Sequence, residues 1–310
     1  MKADRPSATA RLVALGTALI AADRRFGRLV PARAAEASRW FIGPKLARLC
    51  DLGGFRAVMA WMERAVIPGL RLHYALRKRF LEDGARRILG DGTSQVVVLG
   101  GGFDSLALRL HAEFPAVHFI EADHPATQRI KVKALEGRIA LGANLRFVSG
   151  NFATETLEDI LVGRAGLDPG LRTLFVIESV LMYLRPPDID RIFSFARDRS
   201  PLGSRVAFTF MEKRGGGRVR FARSGPLVNP WLRWMSEPFR WGLRPGELNG
   251  FLESRGFEPE RVSSPEALRR TYLEPGRMGT PVLAEGEVVV VARSVATSAG
   301  DPGRTSTSVR

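Results

Sequence analysis

Residues 95–105, QVVVLGGGFDS, constrain this chain more than any other stretch. The uncharged, valine-rich run Gln95–Leu99 suits a strand covered on both faces of a parallel sheet. Gly100, Gly101 and Gly102 end it abruptly. Asp104 and Ser105 can then cap a helix whose apolar stripe is Ala107, Leu110 and Phe114. Strand, glycine turn and helix make the first half of a βαβ nucleotide-binding unit, where glycine permits positive φ and close approach of a ligand to the backbone.

The next strand extends this reading. Residues 117–122 (VHFIEA) form a second apolar run carrying Glu121 and followed by Asp123. These acids lie about 20 residues past the turn, the spacing at which a carboxylate meets a ribose hydroxyl pair. The dinucleotide fingerprint is not matched, because Ser105 stands at its third glycine and Asp104 puts negative charge at the helix start. A pyrophosphate is disfavoured there, whereas an ammonium or sulfonium is attracted. The residues therefore favour S-adenosylmethionine over NAD, with structural glycines and surface acids as the plain alternative.

A chain of 310 residues suits one large α/β domain, or one domain plus a cap. Its net charge of +15 invites a nucleic-acid reading. Yet nearly all the positive charge is arginine, spread from end to end without an aromatic-interleaved basic run. That pattern is a compositional bias, and no specific nucleic-acid partner is expected. The single cysteine, Cys50, cannot close an internal disulfide and fits a reducing, cytoplasmic compartment. It sits among Leu46, Leu49 and Leu52 as a small buried hydrophobe. The histidines and Cys50 show no zinc-ligand spacing, so no metal is expected. No apolar run reaches the ~18 residues of a membrane span. Residues 12–22 have the length of a signal h-region, but Asp4, the Asp23-Arg24-Arg25 run and the lack of a clean cleavage pattern make this a helix.

Residues 1–90 read as a helical cap. Phe55, Val58, Met59, Met62 and Val66 recur at helical spacing, as do Leu72, Leu76 and Phe80, and Pro31, Pro44 and Pro68 punctuate. Residues 91–295 read as an α/β domain. After the first two strands, helix 124–136 leads to strand 145–148, helix 154–162 and strand Thr173–Ile177. A helix from Pro186 and strand Arg205–Met211 follow. Residues 212–243 break the alternation. They read as an insertion over the ligand edge of the sheet, whose Trp231, Trp234 and Trp241 either line a pocket or pack the insertion down. A helix over 245–256, a short strand 257–262 and a strong final strand 287–295 complete the domain. Residues 296–310 read as a disordered tail.

Four segments, ALRKRFLEDGA (75–85), VVVLGGGFDSLALRL (96–110), HFIEADHPATQRIK (118–131) and VIESVLMYLRP (176–186), resemble the leucine carboxyl methyltransferase-like family of class I S-adenosylmethionine-dependent methyltransferases. Together they span about a third of the chain, in the family's order and spacing. The resemblance implies a doubly wound, mostly parallel Rossmann-like methyltransferase sheet. It implies that Gly100 and Gly102 line the methionine end of the cofactor and that Asp123, with Glu121, holds the ribose. Asn151 and Phe152 fall on the family's acid-plus-apolar pair and would serve the adenine. Glu178 falls on the glutamate after strand four, and Arg77 on an arginine that fixes a carboxylate of cofactor or substrate. Lys131 matches a family lysine to which no role is assigned. Gly101, Ser105-Leu106 and Asn151 depart from the family pattern.

Read on its own chemistry, Glu178 after five apolar residues demands a ligand or an arginine partner. Asp104 is placed to greet a cationic ligand. Tyr183, in the apolar turn LMYL, is the candidate base or orienting group should the acceptor be a hydroxyl. His73, His118 and His124 read as structural. A sulfonium methyl is already activated, so a carboxylate acceptor would need no base. Accordingly, O-methylation of a small-molecule or peptide-borne carboxylate, or of a hydroxyl, is expected. The rivals are a cofactor-binding protein without turnover, an NAD-dependent oxidoreductase and an RNA methyltransferase.

Overall fold

Short runs rich in valine and phenylalanine become the strands, and the glycine and proline clusters between them the turns. The structure, a computed structural model, describes residues 6–152, 154–214, 217–226, 228–235, 237–274 and 278–296. Five helices come first: α1 (Ala8–Ala21), α2 (Ala32–Ile42), α3 (Pro44–Asp51), α4 (Gly53–Val66) and α5 (Leu70–Gly90). Then follow β1 (Gln95–Leu99), α6 (Leu106–Leu110), β2 (His118–Asp123), α7 (Pro125–Leu135), β3 (Leu145–Ser149) and β4 (Thr173–Ile177). Next are α8 (Pro186–Asp198), β5 (Arg205–Met211), a small hairpin of β6 (Lys213–Arg214) and β7 (Arg218–Val219), and α9 (Val228–Trp234). The chain closes with α10 (Leu248–Glu253), β8 (Phe257–Ser263), α11 (Pro265–Tyr272) and β9 (Glu287–Ser294).

One seven-stranded sheet has the order β3-β2-β1-β4-β5-β9-β8. The first five strands are parallel, and β9 runs antiparallel to both its neighbours. The chain winds outward from β1 to β3, then returns to lay β4 on the other side of β1. That reversal opens a crevice at the carboxyl ends of β1 and β4, where open α/β sheets bind ligands. Because β9 is reversed, its first residue, Glu287, pairs with Met211 at the end of β5 and arrives at the same edge.

Both faces of the sheet are covered. Val96 and Val98 point into one core with Ala75, Leu76 and Phe80 of α5. Val97 and Leu99 point into the other with Ile189, Ile192 and Phe193 of α8. The N-terminal region is helical, as its periodicity predicted. Helices α1, α2 and α5 share the first of these cores, so they form one covering layer of the sheet itself. Two further helices start later than their periodicity suggested. Thr156 accepts the N–H of Asp159 at 3.1 Å and delays the expected 154–162 helix, which becomes a π-helical segment, Glu158–Arg164. Gly246, at φ +90°, holds back the start of α10.

Described residues of the 212–243 segment, among them Phe221, Val228 and Leu232, line a cavity at the ligand edge. These three pack with Ile67, Leu70, Tyr74 and Met182 into a third, small core. The segment's described tryptophan side chains do not line the cavity. Trp241 is buried against Phe251, with ring centroids 5.2 Å apart, and Trp234 is 77% exposed. The side chain of Trp231 lies outside those described, as does the tail beyond residue 296.

Candidate active site

A cavity of about 410 Å³ opens at the carboxyl edge, between the strand ends, the first turn of α1 and the insertion. The glycine turn forms its floor. Gly100 and Gly102 have φ of +66° and +52°, conformations that cost a side-chain-bearing residue dearly. A Cβ on Gly100 would lie 2.6 Å from Cγ2 of Val180, and one on Gly101 would lie 2.7 Å from the Glu121 carboxyl. The turn is therefore glycine for two reasons, backbone conformation and crowding.

Asp123 ends β2 on the cavity wall. Its carboxylate accepts the backbone N–H groups of Gly102 and, at 2.5 Å, of His124, which tie the turn to the strand. Burial pushes its pKa up, against these two donors. A carboxylate has about four acceptor positions, so two are left for a vicinal diol. Asn151 and Phe152 line the same wall just past β3, as the resemblance implied.

Glu121 does not join Asp123 there. The two acids share one face of β2, but Glu121 lies one step back from the strand's end, under Gly101, where it forms an ion pair with Lys131. The Lys131 ammonium also bonds to the carbonyl of Asp104. Burial pushes Glu121 up to about 7 despite the lysine. The pair clamps β2, α7 and the start of α6 from below, which gives Lys131 a structural role. Glu121 is thus corrected from a ribose ligand to a support of the turn.

Asp104 lines the cavity, but its charge is not free to greet a cation. One oxygen pairs with Lys78 and the other accepts the Leu106 N–H at 2.6 Å, capping α6. Burial would raise its pKa, yet Lys78, Arg109 and Lys131 hold the carboxyl well below the usual range.

The second half of the floor is an ion-pair chain. Glu178 has the arginine partner that its burial demanded, with Nε and Nη2 of Arg77 both 2.8 Å from its Oε1, and Lys78 at 3.4 Å. Nη1 of Arg77 reaches Glu287 at 2.7 Å, and His73 Nε2 meets the same carboxyl oxygen at 2.8 Å. Burial works against the charge on Glu287, but Arg77 and His73 hold its carboxyl well below the usual range. Arg77 lines the cavity. Its guanidinium, however, is committed first to two protein carboxylates, and only its remaining N–H groups can meet a ligand. Ser179 sits at φ +56° between these groups. Its N–H bonds to Thr209 Oγ1 at 2.9 Å and its hydroxyl to Glu287 at 3.1 Å, so the strained backbone is pinned from two sides.

Tyr183 is also on the cavity wall, 5.6 Å from the Phe239 ring. Thr9, which also lines the cavity, donates to Glu237 at 2.6 Å. Burial pushes the Tyr183 phenol far above its ordinary value, and that of Tyr74 likewise. His118 is exposed, and His124 caps α7 by accepting the Ala126 N–H at 3.3 Å.

Lys78, Glu287 and Glu237 escaped the sequence reading. Glu287 carried a signal, since an acid directly before four valines must sit at one end of a buried strand. Its edge follows only once that strand is known to be antiparallel.

These residues suit an adenosyl amino acid: an acid with spare acceptor positions for the ribose, an amide and a ring beyond it, and paired cations and an acid at the other end for a zwitterion. The comparisons agree. The leucine carboxyl methyltransferase family model matches residues 16–197, more than half of the chain. A Mycobacterium tuberculosis protein described as an S-adenosyl-L-methionine-dependent methyltransferase is 28% identical over 274 residues, covering 86% of this chain and 85% of its own. Another so described, from a Mycobacterium species, is 31% identical over 199 residues, 62% of this chain and 64% of its own. A crystal structure from Thermobifida fusca, described as a methyltransferase, superposes with a TM-score of 0.56 at 19% identity, covering 84% of this chain and 93% of its own; it shows the shared fold. The chain belongs to the leucine carboxyl methyltransferase family, within the class I S-adenosylmethionine-dependent methyltransferases. That decides between the two cofactors left open by the glycine turn.

Proposed function

We propose that this S-adenosylmethionine-dependent methyltransferase acts on a carboxylate oxygen of a small-molecule or peptide-borne acceptor. When bound, the cofactor supplies a methyl group on a cationic sulfur, already activated toward a nucleophile. The protein's part is then to hold the nucleophile in line and dry. Leu12, Val13, Ile67, Met182, Phe221 and Phe239 give the outer half of the cavity an apolar wall suited to excluding water.

The observation that carries the choice of a carboxylate concerns bases. A hydroxyl must lose a proton in the reaction, whereas a carboxylate is ionised at neutral pH. Among the described wall residues, Asp123 is assigned to the ribose, Asp188 pairs with Arg185 and Arg191, and the other candidate bases are also engaged. Tyr74 and Tyr183 are held protonated by burial. The His124 Nδ1 accepts a backbone N–H. Glu237 accepts from the Ala8 and Thr9 backbone and from the Thr9 hydroxyl. We assign Arg77, with Glu178, to the amino-acid end of the cofactor, and Tyr183 to orienting the acceptor through its O–H. Gly100, Gly102, Asp123, Asn151 and Phe152 are assigned to the cofactor, and Asp104 to fixing Lys78 beside it.

Incubation with methyl-labelled cofactor and paired panels of carboxylic acids and phenols tests this. The expected product is a methyl ester, which releases labelled methanol in alkali, and Gly100→Val abolishes both cofactor binding and product. An alkali-stable ether would replace the carboxylate with a hydroxyl acceptor. Calorimetry showing no cofactor binding by the wild type would remove the whole assignment.

A further inference from the structure

Helix α4 packs Phe55 and Met59 against Ala18, Leu19 and Cys50, but it carries a second apolar stripe on its outer side. Its residues Ala57, Val58, Trp61, Met62, Ala65 and Val66, recurring at the helical i, i+1, i+4, i+5 spacing, are all exposed. Trp61 is 68% exposed, and α4 has no buried residue. Two of its charged residues, Arg56 and Glu63, are tied to neighbouring elements. Arg56 donates to the carbonyls of Cys50 at 3.1 Å and Asp51 at 2.6 Å, and Glu63 accepts the Arg71 N–H at 2.9 Å and pairs with its guanidinium. A stripe of this kind on the outside of a soluble chain marks an apolar partner.

What surrounds the stripe identifies the partner. Arg64 is exposed at its margin. Gly225 of the insertion donates to the Val66 carbonyl at 2.7 Å, which anchors the exposed Arg220 and Arg223 beside the end of the helix. Glu63 is neutralised by Arg71, and Asp51 by Arg39 at 2.8 Å, so the neighbouring acids do not offset these arginines. An apolar stripe with a tryptophan, rimmed by cations, is the chemistry of an interfacial helix on an anionic bilayer. Among the described residues no helix is long and apolar enough to cross a membrane. The stripe also leads into the cavity, since Ile67 and Leu70, next in the chain, line it.

We propose that α4 seats this protein on an anionic membrane surface, with the Trp61 stripe at the boundary of headgroups and acyl chains and the mouth of the cavity turned toward the lipid. The proposal stands on the surface of the molecule and does not depend on which acceptor is methylated.

Sedimentation with sucrose-loaded vesicles tests it, using phosphatidylcholine alone and phosphatidylcholine mixed with phosphatidylglycerol. Wild type is expected to pellet with the mixed vesicles and to be released by salt. The variant Trp61→Ser with Met62→Ser keeps the net charge and touches no cavity residue. It is expected to retain its melting temperature and to partition about tenfold less. Equal partition of variant and wild type would overturn the proposal, because attraction would then come from the overall charge alone. Absence of wild-type binding would also overturn it. So would a vesicle-free dimer of the wild type that the variant dissociates, which would make a second copy the occupant of this face.

Discussion

At Lys131 a single side chain holds three pieces of backbone together. Its ammonium, fully buried, meets the Glu121 carboxyl and the Asp104 carbonyl. Removing one partner of a buried pair costs about 3–5 kcal/mol, because the other is left uncompensated in a medium that cannot solvate it. Lys131→Met is therefore expected to lower unfolding free energy by about that amount in urea denaturation. Adding Glu121→Gln should restore most of it, since the stranded carboxylate is gone. If Glu121 were instead a ribose ligand, the single variant Glu121→Gln would weaken cofactor affinity while leaving stability nearly unchanged. Sequence could not separate these roles. Glu121 and Asp123 are both acids on the same face of one strand, and only the folded glycine turn, lying over Glu121, separates the acid at the cavity wall from the one beneath it.

Among the elements, α1 shows how a local helix is completed from far away. Its first turn has no acid of its own, and Glu237 supplies the missing acceptor, taking the N–H groups of Ala8 and Thr9 at 3.2 and 3.0 Å. A carboxylate at a helix N-terminus also meets the positive end of the helix dipole. This clasp joins the first turn of α1 to the segment that carries Glu237 at the cavity wall. Glu237→Gln keeps the shape and removes the charge, and is expected to cost about 1–2 kcal/mol in local stability. Amide exchange should show it as faster exchange confined to the first turns of α1. The strands were legible because a run buried on both faces has few alternative environments. The glycine turn, Asp123 and Glu178 were legible because strand ends face the crevice. The clasp was not, because a contact spanning 229 residues leaves no local pattern.

Over the whole molecule, the buried charges set how stability follows pH. Glu287 is depressed below its ordinary 4.5, so its contribution is fully present above that pH and is lost as pH falls toward the folded value. Asp104 acts the same way below its ordinary 3.8. Glu121 works oppositely. Raised from 4.5 to about 7, it favours the folded state most below 4.5 and loses that contribution as pH rises through about 7. The variant Glu287→Gln should therefore be less stable than wild type by about 3 kcal/mol at neutral pH. The gap should hold down to about pH 4.5 and close in more acidic solution, as followed by denaturation over a pH series. A constant gap at every pH would mean that the carboxylate charge contributes nothing.

The reversed last strand has a consequence for biosynthesis. Arg77 and His73 leave the ribosome more than two hundred residues ahead of the carboxylate that binds them both. Until β9 slides in beside β5, the emerging polypeptide must shelter a guanidinium with one of its two counter-ions missing. That counter-ion arrives with the strand that also packs Val288 to Ala292 into both cores of the sheet, so one late pairing completes the charge balance of the floor and the apolar interior together.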